Sequence, residues 1–536
     1  MFFGIDLGTT NSSISYWVKT GEDSFDVKTI RNSNGQPLTP SVVFFEEDTN
    51  KSIIGRSALE SFDFYPDRTI RWVKRDMGKV TTYEIDKNVY NPSMISAYIL
   101  KDLKNRAEKD LQMNDKDGIK DIVITVPADF DVNAKQATID AARIAGFEKI
   151  KLIAEPNAAI LNYIFRTKET GKLLEKFNNE EKFYVVFDLG GGTFDVSLSA
   201  ISLDSNNKPN TRVISSSGEK YLGGINFDKD LMIYILEKAK KIYPKEIEIL
   251  DLLASHAKEY IQNNNEVDED VKNTLARIIK ECENGKIALS DEKKKHFSFM
   301  AHTGRTFRIE IHREEFQELL KPHLIRISNH IQKVLAHAIQ NTNGEVSTWN
   351  DIDGVLLVGG STNIPTVYNY CKEVFGDKII DGVDTYESVA KGAAIFSAIK
   401  NSSESLVGDY SVIVPHDYGL IINNNFEVLL HRGTDKIHTT YQYKVPFSLD
   451  IKSPIVIAQK YYNSDGEEDI LVIEKINYSH PFIYTGDILE ISFGVDENLM
   501  LIAKVKENCI DDSMEIMIEN NAKLSEEEIL LAKDSI

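Results

Sequence analysis

Over the first 400 residues, short apolar runs that stop at glycine turns alternate with stretches where apolar residues recur at helical spacing. The runs FFGIDL and SISYWV on either side of a Gly-Thr-Thr turn predict a hairpin over residues 2–18. Gln36 to Phe45 (QPLTPSVVFF) reads as turn chemistry entering an edge strand. Asp121 to Pro127 is a buried strand rich in β-branched residues, and a helix follows between Asp131 and Gly146. Ile150 to Ala154 is another strand; it feeds Glu155-Pro156, where proline suits a first helical turn. The strand–turn–strand pattern returns around Phe187 to Asp195, and YLGGINFD (Tyr221 to Asp228) opens a helix that Pro244 stops. Residues 244–290 read as helical and acidic, and 313–341 as one long helix. Gly354 to Pro365 (GVLLVGGSTNIP) is again a buried strand, two glycines and a helix start. Two halves of repeated strand, turn and helix predict an α/β architecture with a central cleft.

The pattern changes near Lys400. Asn401 to Ser405 (NSSES) reads as linker. Short strands then follow at 427–431, 454–462, 470–475, 489–495 and 499–505, punctuated by Asn423 to Asn425 and by Asp465-Gly466. They predict an all-β sandwich. A last helix starts at Ser525, with Glu528 completing a capping box, and runs to Ile536.

A chain of 536 residues is too long for one core. Its net charge of −21 argues against a nucleic-acid partner, because no basic face is segregated; Lys293 to His296 reads as a solvated loop. Cys282, Cys371 and Cys509 form no CxxC, which speaks against a disulfide framework and for a reducing compartment. Asp6 arrives too early for a secretory leader, and no apolar run is long enough to span a bilayer. These features predict a soluble cytoplasmic chain with no membrane partner.

The chemistry concentrates in two stretches, GIDLGTT (Gly4 to Thr10) and FDLGGGTFD (Phe187 to Asp195). In such turns glycines let backbone N–H groups close on a phosphate, and threonine hydroxyls add donors. Asp6 and Asp188 occupy equivalent places and suit a hydrated Mg²⁺ shared with nucleotide phosphates. Lys74 and Arg75, beside Trp72, fit either a solvated charged face or a lysine on a γ-phosphate. Glu155 fits either a helix-entry acid or a functional carboxylate. Gly223-Gly224 is either a further phosphate cradle or a plain turn. Glu283, Lys286 and Ser290 share one helix face, which in most helices is merely solvated. His323, His330 and His337 recur every seven residues, the wrong spacing for a helical metal pair.

GIDLGTTNS, VITVPADF, EPNAA, FDLGGGTFDVS, LGGINFD and LVGGSTNIP occur in this order. With the β domain, they resemble the seventy-kilodalton heat-shock chaperone family, the DnaK type, in a short lid-deficient branch. The resemblance implies an actin-like, hexokinase-like two-lobed nucleotide-binding domain over 1–400 and a linker over 401–414. A β-sandwich peptide-binding domain would occupy 415–522, and a short terminal helix, the vestige of a lid, 523–536. The implied activity is ATP hydrolysis to ADP coupled to binding and release of exposed apolar peptide segments. Asp6 and Asp188 would hold Mg²⁺ through water, while Gly8, Thr9, Thr10, Asn11, Gly190, Gly191 and Gly192 bind phosphate. Lys74 would position the γ-phosphate and water, with Glu155 in the catalytic cleft. Thr193 and Asp195 would assist with phosphate and K⁺. Gly223, Gly224, Glu283, Lys286, Ser290, Gly359, Gly360 and Ser361 would make the nucleotide's outer contacts, and Pro127 would relay nucleotide state. An apolar peptide pocket is implied near Ile455 and Val456.

Several residues depart from the family pattern. Asn363 stands where an arginine often stacks on adenine, Asn226 replaces an acid, Lys135 an arginine and Tyr386 an aspartate. The linker is reduced to Val407 to Val414, with Val412 in the place of an aspartate, and Lys151 and Ala154 also differ. Those three positions imply a dedicated or divergent J-domain partner. Residues 241–275 look longer than usual, which leaves the nucleotide-exchange partner open. The rival readings are a nucleotide-gated binding protein with negligible turnover, an actin-like assembly protein and a small-molecule kinase.

Overall fold

A computed structural model describes residues 1–401 apart from 22–23, 48, 50, 115–117, 173–179, 206–207 and 262–267. Beyond them it describes 410–411, 414, 416–422, 425–432, 434, 438–444, 455–462, 468–476, 488–496, 500–507 and 523–536. Val412, Asn423, Asn424, Asp465, Gly466 and Cys509, which carry linker, turn and redox expectations, lie outside the described residues.

The first lobe is built on strands β1 (Phe2–Leu7), β2 (Asn11–Lys19), β3 (Phe25–Thr29), β4 (Asp121–Val126) and β5 (Lys149–Ala154). Their order is β5-β4-β1-β2-β3, with Thr39–Pro40 also pairing with β2. Helices α1 (Pro92–Asp110), α2 (Val132–Ile144) and α3 (Glu155–Glu169) belong to this lobe. Asp131 caps α2 by accepting from the Ala134 N–H at 2.7 Å, and Gly146 beyond its end takes φ 89°. The strand at Val42–Phe45 is central, not an edge: it pairs with both Ser52–Ile54 and Thr69–Arg71. The run VVFF is buried throughout because it has a neighbour on each side.

The second lobe repeats the plan. Strands β6 (Lys182–Leu189), β7 (Phe194–Leu203), β8 (Pro209–Glu219) and β9 (Gly354–Val358) form a sheet in the order β9-β6-β7-β8. Helices α4 (Gly224–Ile242), α5 (Glu269–Asp291) and α6 (Arg313–Asn341) pack on it. Among the described residues the expected helical content of 244–290 is present as Ile247–Ile261 and Glu269–Asp291, and that of 313–341 as α6, which accommodates Pro322 within it. Its His323 bonds Asp230 at 2.6 Å and His330 bonds Ser217 Oγ at 2.8 Å. Helix α7 (Ser388–Asn401) returns to lie between the lobes. A Cβ on Gly4 of β1 would lie 2.2 Å from the Ala394 backbone nitrogen, so glycine alone lets α7 approach this closely.

Strand β10 (Tyr410–Ser411), inside the expected linker, adds to the edge of the second-lobe sheet, parallel to Thr211 and Arg212 of β8. The all-β region that follows has a four-stranded sheet in the order 425–430, 418–422, 455–462, 468–476. A three-stranded sheet runs 438–444, 488–495, 501–507. Tyr418, Leu420, Ile457, Ile473, Ile491, Phe493 and Leu501 share one core between them. The strands at Tyr418–Ile422 and His438–Lys444 were not among those expected from the pattern.

This core continues into the first lobe through Ala128, Val132 and Ala154. Arg432 meets Asp129 at 3.1 Å, and His416 Nε2 donates to the Phe130 carbonyl at 2.8 Å. The terminal helix α8 (Glu526–Ser535) rests on the first lobe, burying Ile529 and Ala532 in its core, with Arg143 paired to Glu526. Burial, then Lys135 and Arg432, hold the His416 imidazole well below its ordinary 6.5, against the Phe130 bond. Once undocked, His416 returns toward 6.5, so below that pH the undocked form binds more protons. Acidification from pH 7.5 to 5.5 is therefore expected to loosen the docked domain, by about 1.4 kcal/mol per pH unit below the free value. Asp129, raised by burial from 3.8, works in the opposite sense at the acid end. Small-angle scattering across that range checks this; an unchanged radius of gyration would count against it.

Candidate functional site

Two hairpin bends face one cleft. β1 delivers Asp6 and the bend Gly8-Thr9-Thr10; β6 delivers Asp188 and the bend Gly190 to Thr193. The registers correspond: Asp6 lies opposite Ser13 and beside Thr125, and Asp188 opposite Asp195 and beside Val358. The bends interlock. A Cβ on Gly191 would lie 2.4 Å from Thr10 Cγ2, and one on Gly192 2.3 Å from Thr9 Oγ1. The Thr9 and Thr10 side chains of the first bend pack directly on the glycine backbone of the second, where a side chain would collide with them.

Lys74 enters on a short 3₁₀ turn, Val73–Asp76, after Trp72 at φ 60°. A bulky residue in the left-handed region costs about 1 kcal/mol or more, and such strain gathers at functional sites. Lys74 is buried, and its ammonium donates to Glu155 Oε1 at the head of α3. The solvated face considered for Lys74 and Arg75 is thereby excluded: their carboxylate and carbonyl partners are distant in sequence. Arg75 donates to the Gly192 carbonyl at 2.8 Å and to Asn226 Oδ1.

The electrostatics are lopsided. Glu155, Asp188 and Asp195 are buried, Asp6 is half-buried, and the lysine among them is Lys74. Burial, then repulsion from Glu155, lifts Asp6 to about 6, while Thr125 Oγ1 donates to it at 3.0 Å. Burial, then Glu155, likewise raise Asp188 and Asp195 well above their ordinary 3.8. Burial pulls Lys74 down, but Glu155, Asp6 and Asp188 together raise it, so it stays charged. Asp195 Oδ1 is buried without a hydrogen-bond partner. This excess of buried carboxylate fits a bound cation and the donors fit Mg²⁺. Among the described residues no three carboxylates, histidines or cysteines converge as direct ligands, so water and phosphate oxygens would complete its shell.

The expected polar face of α5 is turned into the cleft. Glu283 accepts from Arg71 Nη2 at 2.6 Å, and Lys286 Nζ bonds Asp228 at 2.7 Å and the Gly224 carbonyl at 3.1 Å. Arg71 thus ties the first lobe to α5, its guanidinium 4.6 Å from the Trp72 ring. Ser361 Oγ donates to the Gly190 carbonyl at 2.8 Å, and Gly359, at φ 83°, lets the third turn press on Leu189.

Together these elements enclose about 380 Å³. Asp6, Gly8, Thr9, Thr10, Asn11, Lys74, Glu155, Asp188, Gly190, Gly191, Thr193, Glu283, Lys286, Ser290, Gly359, Gly360 and Ser361 all line it. Gly192, Asp195, Gly223 and Gly224 lie behind that lining. The open phosphate cradle considered for Gly223-Gly224 is corrected. The Gly223 N–H is taken by Asn226 Oδ1 at 3.2 Å and the Gly224 N–H by the Gly190 carbonyl at 3.1 Å. This pair buttresses the second bend. Pattern reading did not single out Arg71, Thr125, Asp228, Ile287 and Asp291, although each stood in or beside a stretch that it did: Arg71 in the basic segment of Lys74, Thr125 in the strand Asp121 to Pro127, Asp228 at the end of YLGGINFD, and Ile287 and Asp291 one residue beyond Lys286 and Ser290.

A family model described as "Hsp70 protein" matches residues 2–89 and 79–534. Chaperone protein DnaK of Metamycoplasma hominis is 31% identical over 538 residues, covering 98% of this chain and 80% of that protein. Chaperone protein DnaK of Thermotoga petrophila is 34% identical over 455 residues, 82% of this chain and 68% of that protein. That of Mycoplasmopsis agalactiae is 29% identical over 539 residues, 99% and 80% of the two chains.

Proposed function

The chain belongs to the Hsp70 family of ATP-hydrolysing molecular chaperones, and from that premise we propose how its own residues divide the work. The observation that carries the proposal is the convergence of Asp6, Asp188 and the Lys74–Glu155 pair between two glycine bends. ATP and ADP are its nucleotides. The backbone of Gly8 to Asn11 and of Gly190 to Thr193 holds the phosphates, with the Thr9, Thr10 and Thr193 hydroxyls adding donors. Asp6 and Asp188 would hold Mg²⁺, which would supply charge neutralisation for the phosphates. Lys74, fixed by Glu155, orients the γ-phosphate and the attacking water, so the rate comes from positioning and charge. Thr193 and the unpartnered Asp195 oxygen suit K⁺. Glu283, Lys286 and Ser290 on α5, with Gly359 to Ser361, take the nucleoside.

Residues 1–400 act as the ATPase domain and 415–522 as the peptide-binding sandwich, joined by 401–414, with a short helical segment over 523–536. The chaperone binds client peptide segments and works with co-chaperones. The J-domain partner is a dedicated one, because Lys151, Ala154 and Val412 alter the expected contact positions and Ala154 is buried against the β domain. Among the described residues no helix is long and apolar enough to cross a membrane. A cytoplasmic location fits this composition.

A magnesium titration of ATP turnover tests the assignment. Asp188→Asn is expected to raise the Mg²⁺ needed for half-maximal rate by about 10- to 100-fold, as loss of an indirect metal partner does. Turnover indifferent to Mg²⁺, or to this substitution, would overturn it.

A further inference from the structure

Gly192 of the second bend lies behind the cleft lining, and cations of both lobes gather beside it. Lys74, Arg75 and Lys79 come from the 3₁₀ turn of the first lobe and the residues after it; Lys220 comes from the end of β8 in the second. Three of them form a ladder with two aromatic rings. The Lys74 ammonium stands 5.9 Å, and that of Lys220 5.2 Å, from the centre of the Phe130 ring. Lys220 is also 5.8 Å, and Lys79 4.7 Å, from the centre of the Tyr221 ring. All four distances are within cation–π reach. Burial relaxes along the ladder: Lys74 is 4% exposed, Lys220 6%, and the Lys79 side chain 40%. It runs from the catalytic lysine to solvent.

Two of the cations lack a counter-charge. Lys220 Nζ donates to the Met77 carbonyl at 2.7 Å, and Arg75 to the Gly192 carbonyl and the neutral Asn226 Oδ1. Among the described residues neither makes an ion pair, and Arg75 Nε is buried with no hydrogen-bond partner. The acids nearby are taken: Asp76 by Lys79 at 2.9 Å and the Tyr83 hydroxyl at 2.8 Å, Asp228 by Lys286. Burial lowers Arg75 to about 10, so it stays charged. A cation buried without an opposite charge is costly unless an anion shares its place. The cleft makes such an anion, because hydrolysis leaves inorganic phosphate at Lys74, one ring away from Lys220. We infer that the ladder is the path by which released phosphate leaves: Lys220 and Arg75 draw the oxyanion past Phe130, and Lys79 passes it to water. This deepens the ATPase reading and rests on it. The cations lower the energy of the anion in transit, where rings replace water, and do not hold it at rest. Exit and entry therefore depend on them equally, and affinity in the cleft does not.

The test loads the full-length chain with Mg²⁺, ADP and radiolabelled inorganic phosphate. Release is followed on dilution, uptake on mixing, and affinity by equilibrium dialysis. In Lys220→Gln, release and uptake are both expected to slow by roughly 10- to 150-fold, the worth of one hydrogen bond to a charged group, with affinity unchanged. Lys220→Arg, which keeps the charge, is expected to stay within about threefold of wild type. Lys79→Gln, an exposed change that spares the fold, is expected to slow both rates by about threefold, and by less as salt screens the rim. Wild-type rates in both Lys220→Gln and Lys79→Gln would overturn the path but leave the ATPase reading standing. So would altered release with unaltered uptake, since Lys220 would then only set how tightly phosphate rests. Wild type that hydrolyses ATP yet takes up no phosphate beside ADP would likewise overturn the path. Wild type that does neither would remove the reading and the path together.

Discussion

Lys74→Ala slows single-turnover ATP hydrolysis by about 10²- to 10³-fold while Mg²⁺–nucleotide binding persists; this is the largest effect expected of any cleft substitution. The reason is the charge balance. Asp6, Glu155, Asp188 and Asp195 crowd one region, and Lys74 is the ammonium aimed into it. A cation can offset the carboxylates, but it cannot replace a donor held by Glu155 and pointed at the transferred group. Truncation also leaves Glu155 buried without its partner, which adds repulsion where phosphate charge develops. Lys74→Arg is expected to rescue little, since a planar fork does not fit the place of a point charge. Quench-flow with radiolabelled ATP measures the rate, and filter binding measures retention. A rate within twofold of wild type would remove Lys74 from the mechanism.

The second large effect lies between domains. Arg432→Glu is expected to release the β domain from the ATPase lobes, shifting the docking equilibrium by a factor of about 10² to 10³. Asp129 is 3% exposed and Arg432 15% exposed, so their 3.1 Å ion pair sits mostly out of water. Burial raises the Asp129 carboxyl, and Arg432 is the main influence opposing that rise. Breaking such a pair by removing one partner costs about 3–5 kcal/mol, because the other charge stays buried alone. Placing a second carboxylate there adds repulsion. Fluorescence transfer between labels on the two domains should fall, and the swap Asp129→Arg with Arg432→Asp should restore much of it. Unchanged transfer in Arg432→Glu would mean that the apolar contacts of Ala128, Val132 and Ala154 suffice for docking.

Much of the cleft was legible because its parts are local. A short apolar run ending in Asp-Leu-Gly specifies strand and bend together, and it does so twice, at Asp6 and at Asp188. The caps at Asp131 and Ser525 are likewise written within four residues. What stayed hidden depends on partners remote in the chain. Lys74 looked like a surface residue because Glu155 lies 81 positions away. Arg71 and Glu283, which close the cleft, are separated by 212. The strand His438–Lys444 (HTTYQYK) has too few aliphatic residues to announce itself and is defined by pairing with Ile488–Val495. Val42–Phe45 read as an edge because neither neighbour is visible in its own sequence. The Gly223-Gly224 pair shows the converse: a glycine signature marks close approach, but here the backbone approached is the chain's own.

Peptide binding is expected to govern the rate at which this chain hydrolyses ATP. The most direct measurement is single-turnover hydrolysis by the full-length chain, with and without a panel of unfolded apolar peptides, in wild type and Thr193→Ala. Slow basal hydrolysis, acceleration by at least some peptides, and loss of both in Thr193→Ala are expected. Hydrolysis that no peptide moves, or that survives Thr193→Ala unaltered, would contradict this expectation.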